Sequence, residues 1–268
     1  MLNPRLRCWL VVIFSAVTPP FCCCVAQTPS NLIGGDEEPQ SEVARGDSYA
    51  SGVDRAKDIS AAVSSYRKAA DKGFAPGEYK LGLMYENGNG LPKDTSEAAK
   101  WFRKAADQGY IDAEITLGTL YMTGDGVPKD ISETIIWFKK AAIQGSAMAQ
   151  YNLGTMYARG ETLPADFVAA KEWFREAADQ GFPAAEYSMG LIYLNGAGVP
   201  KDFGSALDWF SKAAAQGFAA AQNNLGVMYD NGSGVQKDSA EAFRLYRLAA
   251  DQGYAEAQNN RFFTFCCG

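Results

Sequence analysis

Histidine is absent from all 268 residues. Its absence removes Ser-His-Asp and Cys-His catalysis and the commonest zinc ligand. Cysteine is confined to the two ends, at Cys8, Cys22, Cys23, Cys24, Cys266 and Cys267, with none between Val25 and Phe265. No disulfide can therefore staple the central stretch to itself. Positive charge is scarce as well: 25 basic residues stand against 31 acidic ones, a net −6, and without the first 26 residues, which hold Arg5, Arg7 and no acid, the balance is 23 to 31, or −8. Nucleic acids and anionic lipids are gripped mainly by Lys and Arg at phosphates, so neither is an expected partner. Long apolar runs are missing except near the start, where Cys8 to Val17 falls well short of the roughly 20 residues that span a bilayer.

That short run follows Arg5 and Arg7 and precedes the small-residue exit Cys24-Val25-Ala26, the layout of a secretory signal. Residues 1–26 are read as a signal peptide cleaved after Ala26. The expected destination is the periplasm, the extracellular space or a secretory lumen. An uncleaved anchor from Cys8 to Ala26 would have to tolerate Thr18-Pro19-Pro20, and Pro19-Pro20-Phe21 argues against lipid attachment at Cys22. Residues 27–40, polar and rich in Pro and Gly, read as a flexible linker.

Beyond them lies a repeat. Gly73, Gly109, Gly145, Gly181, Gly217 and Gly253 recur every 36 residues, and the types around them recur too. A period of this size marks an array whose units bury their apolar faces only by stacking. Residues 41–268 are assigned to it: a degenerate first unit, five clear units and a final helix A. In each clear unit Leu81, Gly82 and Tyr85 have helical spacing, defining helix A. A Gly-rich turn and Asp94 follow, with Asp130, Asp166, Asp202 and Asp238 as the same N-cap in later units. Glu97, Glu133 and Glu241 complete capping-box spacing. Helix B then aligns Ala98, Trp101, Phe102, Ala105 and Ala106 on one stripe. About twelve to thirteen helices of about 10 to 15 residues and no sheet are expected. Trp101, Trp137, Trp173 and Trp209 are read as seam residues, each burying about 150–250 Å².

The pattern Leu-Gly-x-x-Tyr, Gly-x-Gly-Val-x-Lys-Asp, Ala-x-x-Trp-Phe and Ala-Ala-x-x-Gly resembles the Sel-1-like repeat family, relatives of tetratricopeptide repeats, over about residues 38 to 268. The fourth unit departs at Gly160-Glu161-Thr162 and the sixth at Leu245-Tyr246. The resemblance implies an all-α, right-handed α/α superhelix of antiparallel helix pairs and an adaptor role in protein complexes. A cysteine-rich branch, some of whose members are described as penicillin-binding or β-lactamase-like, is not supported, because the array has no cysteine before Cys266.

Catalytic chemistry finds little purchase. Ser65 and Lys68 match Ser-x-x-Lys, but Ser-Asp-Asn and Lys-Thr-Gly are missing and both residues fall on the repeat grid. The Gly-x-Gly turns follow a helix and lack a phosphate loop's Lys, Asp125 has no Asp-x-Asp partner for calcium, and no cofactor or metal is expected. Asn231-Gly232-Ser233 is a single glycosylation sequon.

What remains is a concave groove lined by helix A. Grid positions 79, 83, 86 and 87 are expected to face it: position 79 supplies Tyr79, Ile115, Tyr151, Tyr187 and Asn223, position 83 supplies Leu83, Thr119, Thr155, Leu191 and Val227, and position 87 supplies Asn87, Thr123, Arg159, Asn195 and Asn231. These vary where core positions do not, as a partner-reading or merely solvated face would, and the tyrosines suit an extended peptide or protein partner. The reading is an exported, non-enzymatic interaction scaffold. The alternatives are a secreted penicillin-interacting enzyme of the β-lactamase-like kind, to be revealed by β-lactam labelling of Ser65, and a structural organiser of an envelope or lumenal complex. At the far end Phe262, Phe263 and Phe265 beside Cys266 and Cys267 form an apolar edge, expected to make interchain contact and a homodimer; a frayed tail is the plain alternative.

Overall fold

The computed structural model describes residues 38–53, 56–160 and 165–260. The assigned signal peptide, most of the linker and the Phe262–Cys267 edge lie outside them. Twelve α-helices of 13 residues each follow one another, and residues 255–260 are helical too. The A helices are α1 (Pro39–Ser51), α3 (Ala75–Asn87), α5 (Ile111–Thr123), α7 (Ala147–Arg159), α9 (Pro183–Asn195) and α11 (Ala219–Asn231). The B helices are α2 (Ile59–Asp71), α4 (Thr95–Asp107), α6 (Ile131–Ile143), α8 (Phe167–Asp179), α10 (Phe203–Ala215) and α12 (Ser239–Asp251). Each packs on the next, and no described residue is in a strand. The architecture is an all-α solenoid of helix pairs, as the period requires.

Sequence chemistry sets each boundary. Every B helix starts at an aspartate, Asp58, Asp94, Asp130, Asp166, Asp202 or Asp238, whose carboxylate accepts from one or two first-turn amides. The reciprocal half of the expected capping box does not form. The N-cap amide instead donates to the helix-A tyrosine carbonyl nine residues earlier, as Asp94 N does to Tyr85 O and Asp130 N to Tyr121 O. With that amide satisfied, the three glutamates turn elsewhere: Glu97 to Lys100, Glu133 to the Trp137 indole and Arg103, Glu241 to Arg244.

Packing explains the helix-A glycine. A Cβ on Gly118 would stand 2.7 Å from Phe138 Cδ1, and one on Gly82 2.6 Å from Phe102 Cε1, inside van der Waals contact. The aromatic ring of each B helix, phenylalanine in four and Tyr66 and Tyr246 in α2 and α12, thus presses on the helix-A glycine of its own pair. Phe102, Phe138 and Phe210 are fully buried there with Leu81, Leu117 and Leu153. The indole at the grid position before that phenylalanine reaches back to the preceding pair. Trp137 joins Ala105 and Ala106 of the preceding pair to Ala113 and Leu117 of its own, and Trp209 joins Ala177 and Ala178 to Ala185 and Met189 in the same way. Trp137 and Trp209 are buried, whereas Trp101 and Trp173 are half-buried, so the tryptophans are seam residues of unequal depth.

A polar ladder runs beside this seam. The Gln108 amide donates to Glu78 over 2.7 Å, Gln144 to Glu114 over 2.8 Å, Gln180 to Gln150 over 2.7 Å, Gln216 to Glu186 over 2.8 Å and Gln252 to Gln222 over 2.9 Å. Burial pushes the carboxyls of Glu78, Glu114 and Glu186 above the ordinary range, against the lowering pull of a nearby lysine and the glutamine donor.

Candidate functional site: a cleft on the helix-A face

Six of the residues read from the sequence as groove-lining come together. A cleft of about 350 Å³ is walled by Tyr151, Thr155, Ala158 and Arg159 of α7, Phe167 and Phe174 of α8, Tyr187, Ser188, Leu191, Ile192 and Asn195 of α9, and Ala197 beyond it. Its size is at the lower end for ligand pockets, and its lining is mainly apolar with a few polar groups, the composition such sites share. Phe174 and Ile192 are buried; Phe167 and Arg159 are exposed.

Aromatic packing holds the tyrosines in place. The Tyr151 ring lies 5.7 Å from Phe174 and 5.4 Å from Phe182 between centroids, tilted against both. Tyr187 meets Phe210 at 5.6 Å and Phe218 at 5.3 Å in the same way. Tilted aromatic pairs at this separation stabilise by about 0.5–1.5 kcal/mol beyond area burial. Each ring is thus half seam and half surface, pre-set before a partner arrives. Burial raises the Tyr187 hydroxyl above its ordinary value, so it stays a proton donor and acceptor, and Asn224 donates to it across the seam.

Other expected groove residues divide. Tyr79 repeats the aromatic packing two repeats before Tyr151, against Phe102 and Tyr110. Leu83, Thr119 and Val227 are partly buried along the same face, and Ile115 packs on the cluster that α6 of its own pair shares with α7 of the next. The hydroxyls of Thr119 and Thr155 are taken by the carbonyls of Ile115 and Tyr151 one turn back, leaving mainly their methyls for contact. Asn223 differs from expectation: it is buried, its amide donating to Asn224 and its carbonyl accepting from Asn260 of the following repeat. It ties repeats together and is not presented to the groove.

Sequence reading missed Phe167, Phe174, Ser188, Ile192 and Ala197 of the lining. Position 86 of the grid holds Glu86, Met122, Ala158, Leu194 and Asp230, and the cleft opens at the smallest of them. That local loss of volume was visible in the repeat grid. Phe174 falls on the helix-B stripe read as core, and only packing brings it to the cleft beside Phe167 and Ile192. A second, more polar cleft of about 740 Å³ lies between α1 and α3, where Asp47 accepts from the Tyr66 hydroxyl and the Lys80 ammonium, both at 2.8 Å.

Ser65 and Lys68 are not assembled for nucleophilic work. Ser65 is buried, and Lys68 extends to Glu42 at 3.7 Å. Among the described residues no group of three or more His, Cys, Asp or Glu is placed to hold a metal, and no helix is long and apolar enough to cross a membrane.

The Sel1 repeat family model matches residues 40–74, 75–110, 111–146, 147–182, 183–218 and 219–254. Among solved structures, a protective antigen present in uropathogenic Escherichia coli strains and displaying an SLR fold is similar, with 35% identity and a TM-score of 0.82 over 84% of this chain and 48% of its own. The chain spans about half the length of that antigen. A Sel1 repeat protein from Oxalobacter formigenes is 31% identical with a TM-score of 0.71, over 80% of this chain and 86% of its own. No curated protein matches.

Proposed function

The chain belongs to the Sel1 repeat family, and from that premise we propose that it is an exported, non-enzymatic scaffold that holds a segment of a protein partner on its helix-A face. Sel1 repeat proteins are generally protein–protein interaction scaffolds. The observation that carries the finer reading is the cleft between α7 and α9, where two tyrosines are immobilised by phenylalanine packing beside Leu191 and the opening left by Ala158. A rigid aromatic edge contacts a partner at low entropic cost because its rotamer is already set. The neighbouring Asn195 and Arg159 supply polar groups at the rim that suit peptide amides and side chains.

Export rests on the segment from Arg5 to Ala26. The test is affinity purification of the full chain from its native source, with Leu191→Glu and Tyr187→Ala beside the parent and each variant's helicity checked by circular dichroism. Folded variants should retain at least tenfold less of the partner. Equal retention by the parent and both variants would overturn the assignment of the cleft. Mature protein beginning at Gln27 in the exported fraction supports the export reading, and an intact chain confined to the cytoplasm refutes it.

A further inference from the structure

The seam between the fifth and sixth repeats lacks a side chain that the other clear seams possess. In four units a tryptophan reaches back onto the preceding pair: Trp101, Trp137, Trp173 and Trp209. In the sixth that place is taken by Leu245, which sits among Ala213, Ala214, Ala221 and Leu225, the grid equivalents of the alanines and leucine around Trp137. Three neighbouring grid positions change with it. Ser211 stands where Arg103 and Arg175 lie over the indoles of Trp137 and Trp209. Leu248 stands where Lys104, Lys140 and Lys212 cap the indoles of Trp101, Trp137 and Trp209. Ala215 replaces the aspartate seen at Asp71, Asp107, Asp179 and Asp251.

The outcome is a pocket of about 350 Å³ whose walls include these four positions together with Ala214, Gly217, Gln222, Leu225 and Arg244. Ser211, Ala215, Arg244 and Leu248 are exposed, so it opens on the helix-B side of the array. It is separate from the cleft between α7 and α9. The polar partner of the missing ring is still in place. In the third repeat Trp137 Nε1 donates to Glu133 Oε2 over 2.9 Å, one turn earlier, and Glu133 also accepts from Arg103. Glu241 stands one turn before Leu245 and is held by Arg244 at 2.6 and 2.7 Å. A carboxylate has lone pairs enough to accept another N–H.

We infer that this pocket receives an indole ring, the side chain of a tryptophan carried by a protein partner. The third-repeat seam serves as the template: alanine and leucine walls accept the Trp137 ring, and the Glu133 carboxylate one turn back takes its N–H. The trimming of Arg, Trp, Lys and Asp to Ser211, Leu245, Leu248 and Ala215 leaves the space open from outside. Nothing in this inference depends on the helix-A cleft, so either can fail without the other.

The test uses the isotope-labelled full chain and N-acetyltryptophanamide, followed by nuclear magnetic resonance. Saturable shifts are expected at Gly217, Gln222 and Leu225, with a dissociation constant on the order of a millimolar for so small a probe. N-acetylleucinamide should produce none. Leu245→Trp fills the space from within and should weaken binding at least tenfold while raising the melting temperature. Should that variant misfold, Leu248→Lys with Ser211→Arg restores the covering cations and should weaken binding several-fold. Glu241→Leu should abolish the preference for the indole probe over N-acetylphenylalaninamide. Absence of saturable shifts in the parent, or binding unchanged by a folded Leu245→Trp variant, overturns the inference.

Discussion

Trp137→Ala is the sharpest test of how the array holds together. The side chain is 2% exposed and packs on Ala105 and Ala106 of the preceding repeat and on Ala113 and Leu117 of α5 in its own. Burying an indole removes about 200 Å² from water, and at about 25 cal/mol per Å² this is about 5 kcal/mol, an upper bound because the unfolded chain already shelters part of it. Its Nε1 bond to Glu133 adds about 1.5–3 kcal/mol as a hydrogen bond to a charged group, partly recovered when Glu133 turns to Arg103 or water. The net loss should be about 3–5 kcal/mol, as for other large core truncations. Trp101 supplies the control. It also has a lysine over its ring at 3.7 Å, as Trp137 does, but it is half-buried and its indole N–H is buried without a partner. Truncating Trp101 removes that unsatisfied donor along with the ring and should cost only about 1–2 kcal/mol. Denaturant unfolding followed by circular dichroism measures both. Neighbouring repeats of a solenoid can uncouple, so the slope must be compared with the midpoint, and native-state hydrogen exchange at α5 and α6 decides if the slope falls. A loss below about 1 kcal/mol at Trp137, or equal losses at the two sites, would refute this account of the seam.

Gly118→Ala should destabilise by about 1–3 kcal/mol although alanine is the better helix former, because its methyl would press on Phe138; increased stability in thermal melts would show that the ring gives way freely. For the ladder glutamates the sign follows from burial: Glu114 has a carboxyl raised above its unfolded value, so its contribution to stability is full below the ordinary carboxylate pKa and is lost as pH rises through the folded one. Glu114→Gln should therefore gain stability relative to the parent as pH rises above the ordinary carboxylate range, and a difference constant with pH in paired melts would contradict it. Burial, with Asp230 nearby, pushes the Tyr246 hydroxyl up to about 12. Ultraviolet titration should show a late-ionising tyrosine that Tyr246→Phe removes, and an unchanged titration curve would count against that burial.

Much of this protein is written locally. The 36-residue recurrence, Asp94 and its equivalents at helix starts, the glycines at helix ends and the Ala–Phe–Ala stripe each act within one or two turns of chain, so reading them needs no neighbour. The helix-A face was legible for the same reason, since position along a helix determines direction, and Tyr151, Tyr187 and Leu191 do line the cleft. Tertiary structure decided what happens between repeats. Glu133 has capping-box spacing, yet the N-cap amide finds the Tyr121 carbonyl and the Trp137 indole claims the carboxylate, a choice among partners that only folding brings within reach. Asn223 shares its grid position with Tyr187 but is buried, because Asn260 of the next repeat closes over it. The two pockets have the same origin. They exist where Ala158 and Leu245 fall short of the volume that their neighbours leave for them, and the size of that shortfall depends on rings and helices placed by the stacking of whole units.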